Sequence, residues 1–296
     1  MFSYRGVMSA TRIDTADVEL SLRVDGPAEG PVVVLVHGFP DNQQVWDSVA
    51  KDLVRDHRVA TYDVRGAGES TAPASRSGYR MNRLVDDLVA VLDAVAPDGR
   101  PVHLVGHDWG SVQLWGAAMR ESRDARLRGR LASFTSISGP GLDLFAHFLR
   151  NGLRQRRFGT VGRQLAHSWY IAMFQVPFVP ELVFARLGGL IRSRLEKSHQ
   201  LDGYWDDDTF RADARQGLNL YRANRLDFRR STTAVPVQLI VPTKDAYITP
   251  AVFDDVESFA PDLRRLDVVA DHWVVQTEPQ LVADAVRAFV ADVDRR

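Results

Sequence analysis

Short runs rich in β-branched apolar residues alternate along this chain with stretches whose apolar positions recur at helical spacing. Such alternation is the mark of βαβ units around a mostly parallel sheet, whose strands are covered on both faces and so are apolar throughout. Pro31 to Val36 is an unbroken apolar run and predicts a buried strand. Val59 to Val64, Val102 to Val105, Ser133 to Ile137, Val237 to Val241 and Arg265 to Val269 predict further strands. Val18 to Val24 alternates apolar with polar residues and predicts an early antiparallel strand. Helices are predicted over Trp46 to Val54, Met81 to Val95, Ser111 to Glu121 and Pro279 to Val293. The last opens with Glu278-Pro279, and its apolar residues fall at 281, 282, 285, 286, 289 and 290.

The interval from Gly141 to Ser231 breaks the alternation. It is helical in pattern throughout, rich in aromatics and arginines, and lies between the strand ending at Ile137 and the one starting at Val237. An insertion there emerges at the carboxyl edge of the sheet, where ligands of such sheets bind. The expected organisation is a core of residues 1–140 and 232–296 with a helical lid, or cap, of residues 141–231. The arginines at 120, 123, 126, 128 and 130, and at 150, 154, 156 and 157, read as solvated surface, with contact to an anionic lipid or a partner as the other reading.

Composition narrows the class. The 296 residues are 45% hydrophobic and 25% charged, as in a soluble globular protein, and a net charge of −1 offers no global attraction for nucleic acid. There is no cysteine, which excludes disulfides, thiol catalysis and Cys-based metal sites. Met1 to Arg12 lacks the apolar stretch of a secretory signal, and the longest mainly apolar segment, Trp169 to Ala185, is broken by Gln175, Pro177, Pro180 and Glu181. A cytoplasmic protein without stable membrane insertion is expected.

One motif carries chemistry. Gly106-His107-Asp108-Trp109-Gly110 follows a predicted strand and opens a predicted helix, the setting of the nucleophile elbow G-x-S-x-G, but with aspartate in the serine position. A serine that attacked an sp3 carbon would form an ether, which water does not readily cleave. Aspartate would form an ester, which a positioned water can hydrolyse. Asp108 therefore points to displacement at an alkyl carbon rather than to an esterase or peptidase.

Asp245 and His272, each just past a predicted strand, follow in the order nucleophile, acid, histidine, which is that of the α/β-hydrolase triad. Asp143, after the preceding strand, competes with Asp245 for the role of acid. His37-Gly38-Phe39-Pro40 follows the Pro31 to Val36 strand where this fold places its oxyanion loop, so the N–H groups of Phe39 and Trp109 are the expected donors. His37, His103 and His107 read as structural, and His57, His147, His167 and His199 have no motif behind them. Asp63 and Arg65 are expected to fix a turn near the site.

With these motifs in place, the chain resembles epoxide hydrolases of the α/β-hydrolase fold over nearly its whole length. The resemblance rests on His37-Gly38-Phe39-Pro40, the Arg65-Gly66-Ala67-Gly68-Glu69-Ser70 turn, the aspartate elbow, Lys244-Asp245 and His272-Trp273. It implies a mostly parallel eight-stranded sheet flanked by helices, and a cap with two tyrosines that hold the epoxide oxygen. Tyr170, in Trp169-Tyr170-Ile171-Ala172-Met173-Phe174, and Tyr221, in Gly217-Leu218-Asn219-Leu220-Tyr221-Arg222, occupy segments similar to those that carry them. The implied substrate is an epoxide, hydrolysed with water to a vicinal diol through an aspartyl ester. The cap aromatics Trp169, Phe174, Phe178 and Phe184 suggest that it is lipophilic, and Phe39, Trp109, Trp169, Phe174 and Phe178 are its expected contacts.

No metal or organic cofactor is implied, and either a monomer or a homodimer is compatible. Two other readings stay open: a haloalkane or haloacid dehalogenase with the same aspartate, for which Trp109 is a candidate halide donor, and a non-catalytic ligand-binding protein on this scaffold. Haloalkane dehalogenases usually have Asn at the Phe39 position, and fluoroacetate-type dehalogenases have Arg at the Trp109 position. A weaker resemblance is to the hydrolase half of proteins that fuse an epoxide hydrolase to a short-chain dehydrogenase. No dehydrogenase domain is expected here, since no G-x-G-x-x-G strand-turn unit is present.

Overall fold

The computed structural model describes residues 10–201, 203–229 and 231–296. Eight strands form one sheet: β1 (Thr11–Asp14), β2 (Glu19–Asp25), β3 (Val32–Val36), β4 (Arg58–Tyr62), β5 (Val102–His107), β6 (Leu131–Ile137), β7 (Val237–Pro242) and β8 (Leu263–Val268). Their spatial order is β1-β2-β4-β3-β5-β6-β7-β8. β1 pairs antiparallel with β2 and β2 antiparallel with β4, and every pairing beyond β4 is parallel. All residues of β3, β5 and β7 are buried, as their apolar runs require.

The core helices are α1 (Asp47–Leu53), α2 (Met81–Val95), α3 (Trp109–Ala118), α9 (Val274–Thr277) and α10 (Pro279–Asp294). α1 packs on α10 and α2 on α3. α2 buries Leu84, Val85, Leu88, Val91, Leu92 and Val95, which form one apolar stripe at helical spacing. α3 lacks such a stripe because nine of its residues are buried.

Five helices fill the interval between β6 and β7: α4 (Leu142–Arg154), α5 (Phe158–His167), α6 (Trp169–Phe174), α7 (Val179–His199) and α8 (Asp207–Ala223). Three contacts fasten α8 to the core. Asp213 accepts from the Gly68 N–H (2.9 Å) and from the Asn42 side chain (3.2 Å), and the Tyr79 hydroxyl donates to Gln216 (3.1 Å). Asn224, just past its end, accepts from the Met81 N–H and donates to the Tyr79 carbonyl. α7 is tied to α8 through Arg211 and the Phe184 and Ala185 carbonyls, and through the Arg222–Glu181 ion pair.

Candidate active site

The elbow is built by backbone geometry. Asp108 sits between β5 and α3 at φ +50, ψ −123, a strained conformation for a non-glycine residue, and its N–H is held by the Ile137 carbonyl of the neighbouring strand (3.0 Å). The tight packing of α3 on β3 depends on Gly110, where a Cβ would run into the Val36 carbonyl oxygen. Gly38 has the same constraint from the other side, since a Cβ there would strike the Asp108 carboxylate. Small residues on both sides thus let the loop after β3 close on the turn after β5.

Two backbone amides meet the Asp108 carboxylate: the Phe39 N–H donates to Oδ1 at 2.7 Å, and the Trp109 N–H is a second donor. The other oxygen, Oδ2, lies 3.7 Å from His272 Nε2. His272 Nδ1 donates to Asp245 Oδ2 at 2.9 Å, and Asp245 Oδ1 accepts from the amides of Tyr247 (2.7 Å) and Ile248 (3.0 Å). The loops after β5, β7 and β8 therefore bring Asp108, Asp245 and His272 together, with the imidazole between the two carboxylates. Asp143 is not part of this set: its carboxylate accepts from the Leu144 N–H at the start of α4.

Charge is distributed accordingly. Burial opposes protonation of His272, but the carboxylates of Asp245, Asp108 and Asp41 prevail and push it up to about 9. Burial would raise Asp245, yet the His272 ring and the two loop amides hold it below the usual carboxylate range. Asp108 moves up, because burial outweighs His272 and its amide donors.

Tyr170 and Tyr221 close over this group. Their rings lie 6.1 Å apart at 83°, and Tyr221 stands edge-on to Trp109 (5.0 Å) and Phe39 (5.3 Å). Burial and the Asp108 carboxylate raise both phenols well above the ordinary tyrosine value, so both hold their protons. Phe174 packs on Phe39 (5.5 Å), Tyr170 (5.4 Å) and Tyr221 (5.1 Å).

Two expected substrate contacts are not brought here. Trp169 is 65% exposed, because it precedes the inward-facing Tyr170 on α6 and the ~100° step between neighbouring helical residues turns it to solvent. Phe178 is 82% exposed at a left-handed φ of +63 ahead of α7.

The remaining expectations divide into scaffold and omission. His37 accepts from the Val64 N–H, His103 bonds Ser133, and His107 Nε2 donates to the His272 carbonyl (2.8 Å), so all three hold loops and strands. Asp63 binds Gln43 and the Glu69 amide, and Arg65 pairs with Asp87 and Asp17, which fixes the turn as expected. Missed in the sequence was Asp41, which directly follows Phe39-Pro40. Its buried carboxylate accepts from the indoles of Trp205 and Trp273, both 3.0 Å away, and burial raises it to about 7. Tyr247 was also missed; its ring lies 4.7 Å from His272. Proximity to the Gly38-Phe39-Pro40 and Lys244-Asp245 motifs was the available signal for each.

The sequence pattern of the alpha/beta hydrolase fold matches residues 31–279, which include the elbow, Asp245 and His272. The chain belongs to the α/β-hydrolase fold family. Within the family it is 35% identical to the probable oxidoreductase EphD of Mycobacterium tuberculosis over 94% of its own length. It spans about half of that relative, 48%. It is 24% identical to epoxide hydrolase 3 of Xenopus tropicalis, over 98% of this chain and 79% of that one. Among solved structures, an inhibitor complex of a Bacillus megaterium epoxide hydrolase superposes with a TM-score of 0.78 at 23% identity, covering 95% of this chain and all of that one. That likeness is one of fold.

Proposed function

We propose that this chain is an epoxide hydrolase that converts a lipophilic epoxide and water to a vicinal diol, with α4 to α8 as its cap. The observation that carries the reading is the placement of two protonated, buried phenols over a carboxylate that already faces a histidine–carboxylate pair. In the first half of the reaction, Asp108 Oδ2 attacks a ring carbon, the C–O bond of the strained ring breaks, and the departing oxygen takes a proton from Tyr170 or Tyr221. The product is an ester of Asp108. Its formation removes the negative charge beside His272, one of the charges that raises that ring, so His272 gives up its proton more readily and becomes a base for the second half.

In that half His272, oriented by Asp245, takes a proton from water as the oxygen attacks the Asp108 carbonyl carbon. The charge that develops on Oδ1 falls where the Phe39 and Trp109 amides already point. Collapse of the tetrahedral species breaks the bond to the alkyl oxygen, which takes its proton from His272 as the diol leaves. The remaining carboxyl proton returns to His272, and the proton that His272 gave up after ring opening restores the phenol, so all three groups end as they began. The packed rings of Phe39, Phe174 and Tyr221 favour an apolar substituent on the substrate.

The test is to trap the ester. His272→Gln incubated with an accepted epoxide should gain the mass of one substrate on the intact protein, and Asp108→Ala should gain none and lose turnover by about a thousandfold or more. In heavy-oxygen water the first diol should draw its new oxygen from Asp108 rather than from solvent. Direct solvent incorporation in the first turnover would overturn the mechanism, and halide release from chloroalkanes without diol from epoxides would transfer the same residues to a dehalogenase.

A further inference from the structure

We infer that the outward face of α5 to α7 is a docking surface for an anionic lipid bilayer. Three successive helices leave large apolar side chains in solvent there. α5 exposes Phe158 and Leu165, seven residues apart and so on one side of the helix; α6 exposes Trp169; Phe178 precedes α7, which exposes Leu182 and, at 72%, Leu190. Isolated exposed apolar residues need no explanation, but a row of this size on consecutive elements marks a contact surface. No described helix is long and apolar enough to cross a membrane, so the contact is with the surface of the bilayer.

Charge selects the partner. Between Leu153 and Gln200 the chain carries eight Lys and Arg against two carboxylates, Glu181 and Glu196, in a molecule whose net charge is −1. Both carboxylates are already paired, with Arg222 and Arg192. Arg156, Arg163, Arg186 and Arg194 are exposed and make no ion pair among the described residues. Apolar residues that insert at the headgroup level, flanked by unneutralised arginines, complement a bilayer with anionic headgroups. A second copy of the chain is a poor occupant, because a self-complementary contact would set one cationic face against another. α6 also gives the location a use: Trp169 faces solvent, and the next residue, Tyr170, faces Asp108. A lipophilic molecule dissolved in the bilayer would then lie one helix thickness, roughly 10 Å, from the phenols.

The binding measurement does not depend on the epoxide reading. The full chain is floated with vesicles of phosphatidylcholine, alone or mixed with phosphatidylglycerol. It should rise with the mixed vesicles only and be released by about 0.5 M salt, where screening is short-ranged. Arg156→Gln, Arg163→Gln and Arg186→Gln should each weaken binding about fivefold. Vesicles should shift the tryptophan emission to the blue, and Trp169→Phe should remove most of that shift. The substituted side chains are exposed, so the melting temperature should stay at the wild-type value. Failure of the full chain to float with either vesicle type, or unchanged flotation when Arg156→Gln, Arg163→Gln and Arg186→Gln are combined in one chain, would sink the proposal. A Phe178→Ser, Leu182→Gln variant that dissolves a dimer but floats like the wild type would assign the face to a second copy.

Discussion

At the scale of single residues, the aspartate in the elbow was legible because its neighbours constrain it from several directions at once. Gly106 and Gly110 signal the turn, the apolar run before them signals a strand, and the carboxylate itself signals the reaction class. Direction of side chains was not legible: Trp169 and Tyr170 are adjacent in a sequence that reads as aromatic throughout, and only the phase of a six-residue helix separates them. Asp41 escaped notice because its role depends on Trp205 and Trp273, which lie 164 and 232 residues away. The two phenols supply a prediction at this scale. Tyr170→Phe and Tyr221→Phe should each slow ring opening about a hundredfold, measured in single turnover, and should leave hydrolysis of the ester at its wild-type rate. Equal slowing of both steps would mean that the rings only shape the site.

At the scale of elements, apolar runs placed the strands of the sheet interior within a few residues, since burial on both faces leaves their composition little freedom. β1 gave no such signal: Thr11–Asp14 is a mostly exposed edge strand without an apolar face. The insertion was legible as helical but not as five helices. Only Ser168 separates α5 from α6, and α7 continues through Gly188 and Gly189, so the usual breakers do not mark the boundaries. The element that carries Tyr221 has a titratable fastening. Asp213 on α8 is raised to about 7 by burial, and so binds protons more tightly in the folded than in the unfolded chain. Its contribution to stability is present at low pH and is lost as pH rises from the ordinary carboxylate value through 7. Asp213→Asn cannot ionise, so between about pH 5 and 8 thermal unfolding should shift in the variant's favour by at least about 1 kcal/mol. Parallel curves would show that this carboxyl is not strained by ionisation.

For the molecule as a whole, the eight-stranded sheet implied by the resemblance is present, and the sheet order brings the loops after β3, β5, β7 and β8 to one edge although they are far apart in the chain. The same clustering sets a pH limit. His272 is raised to about 9 and Asp41 to about 7, so folding takes up protons on both, and the associated stability declines as pH rises through those values. The melting temperature should fall between about pH 6.5 and 9, and His272→Gln should flatten that part of the curve. A constant melting temperature over this range would contradict the charge arrangement. The Phe39 and Trp109 amides have a consequence for carboxylic esters. Both are engaged by its own Asp108 before any ligand arrives, so a carboxylic ester entering the cleft meets no vacant pair of donors to polarise its carbonyl. Self-occupancy of that niche disfavours acyl transfer and, on the proposed mechanism, reserves the cleft for molecules that react at saturated carbon.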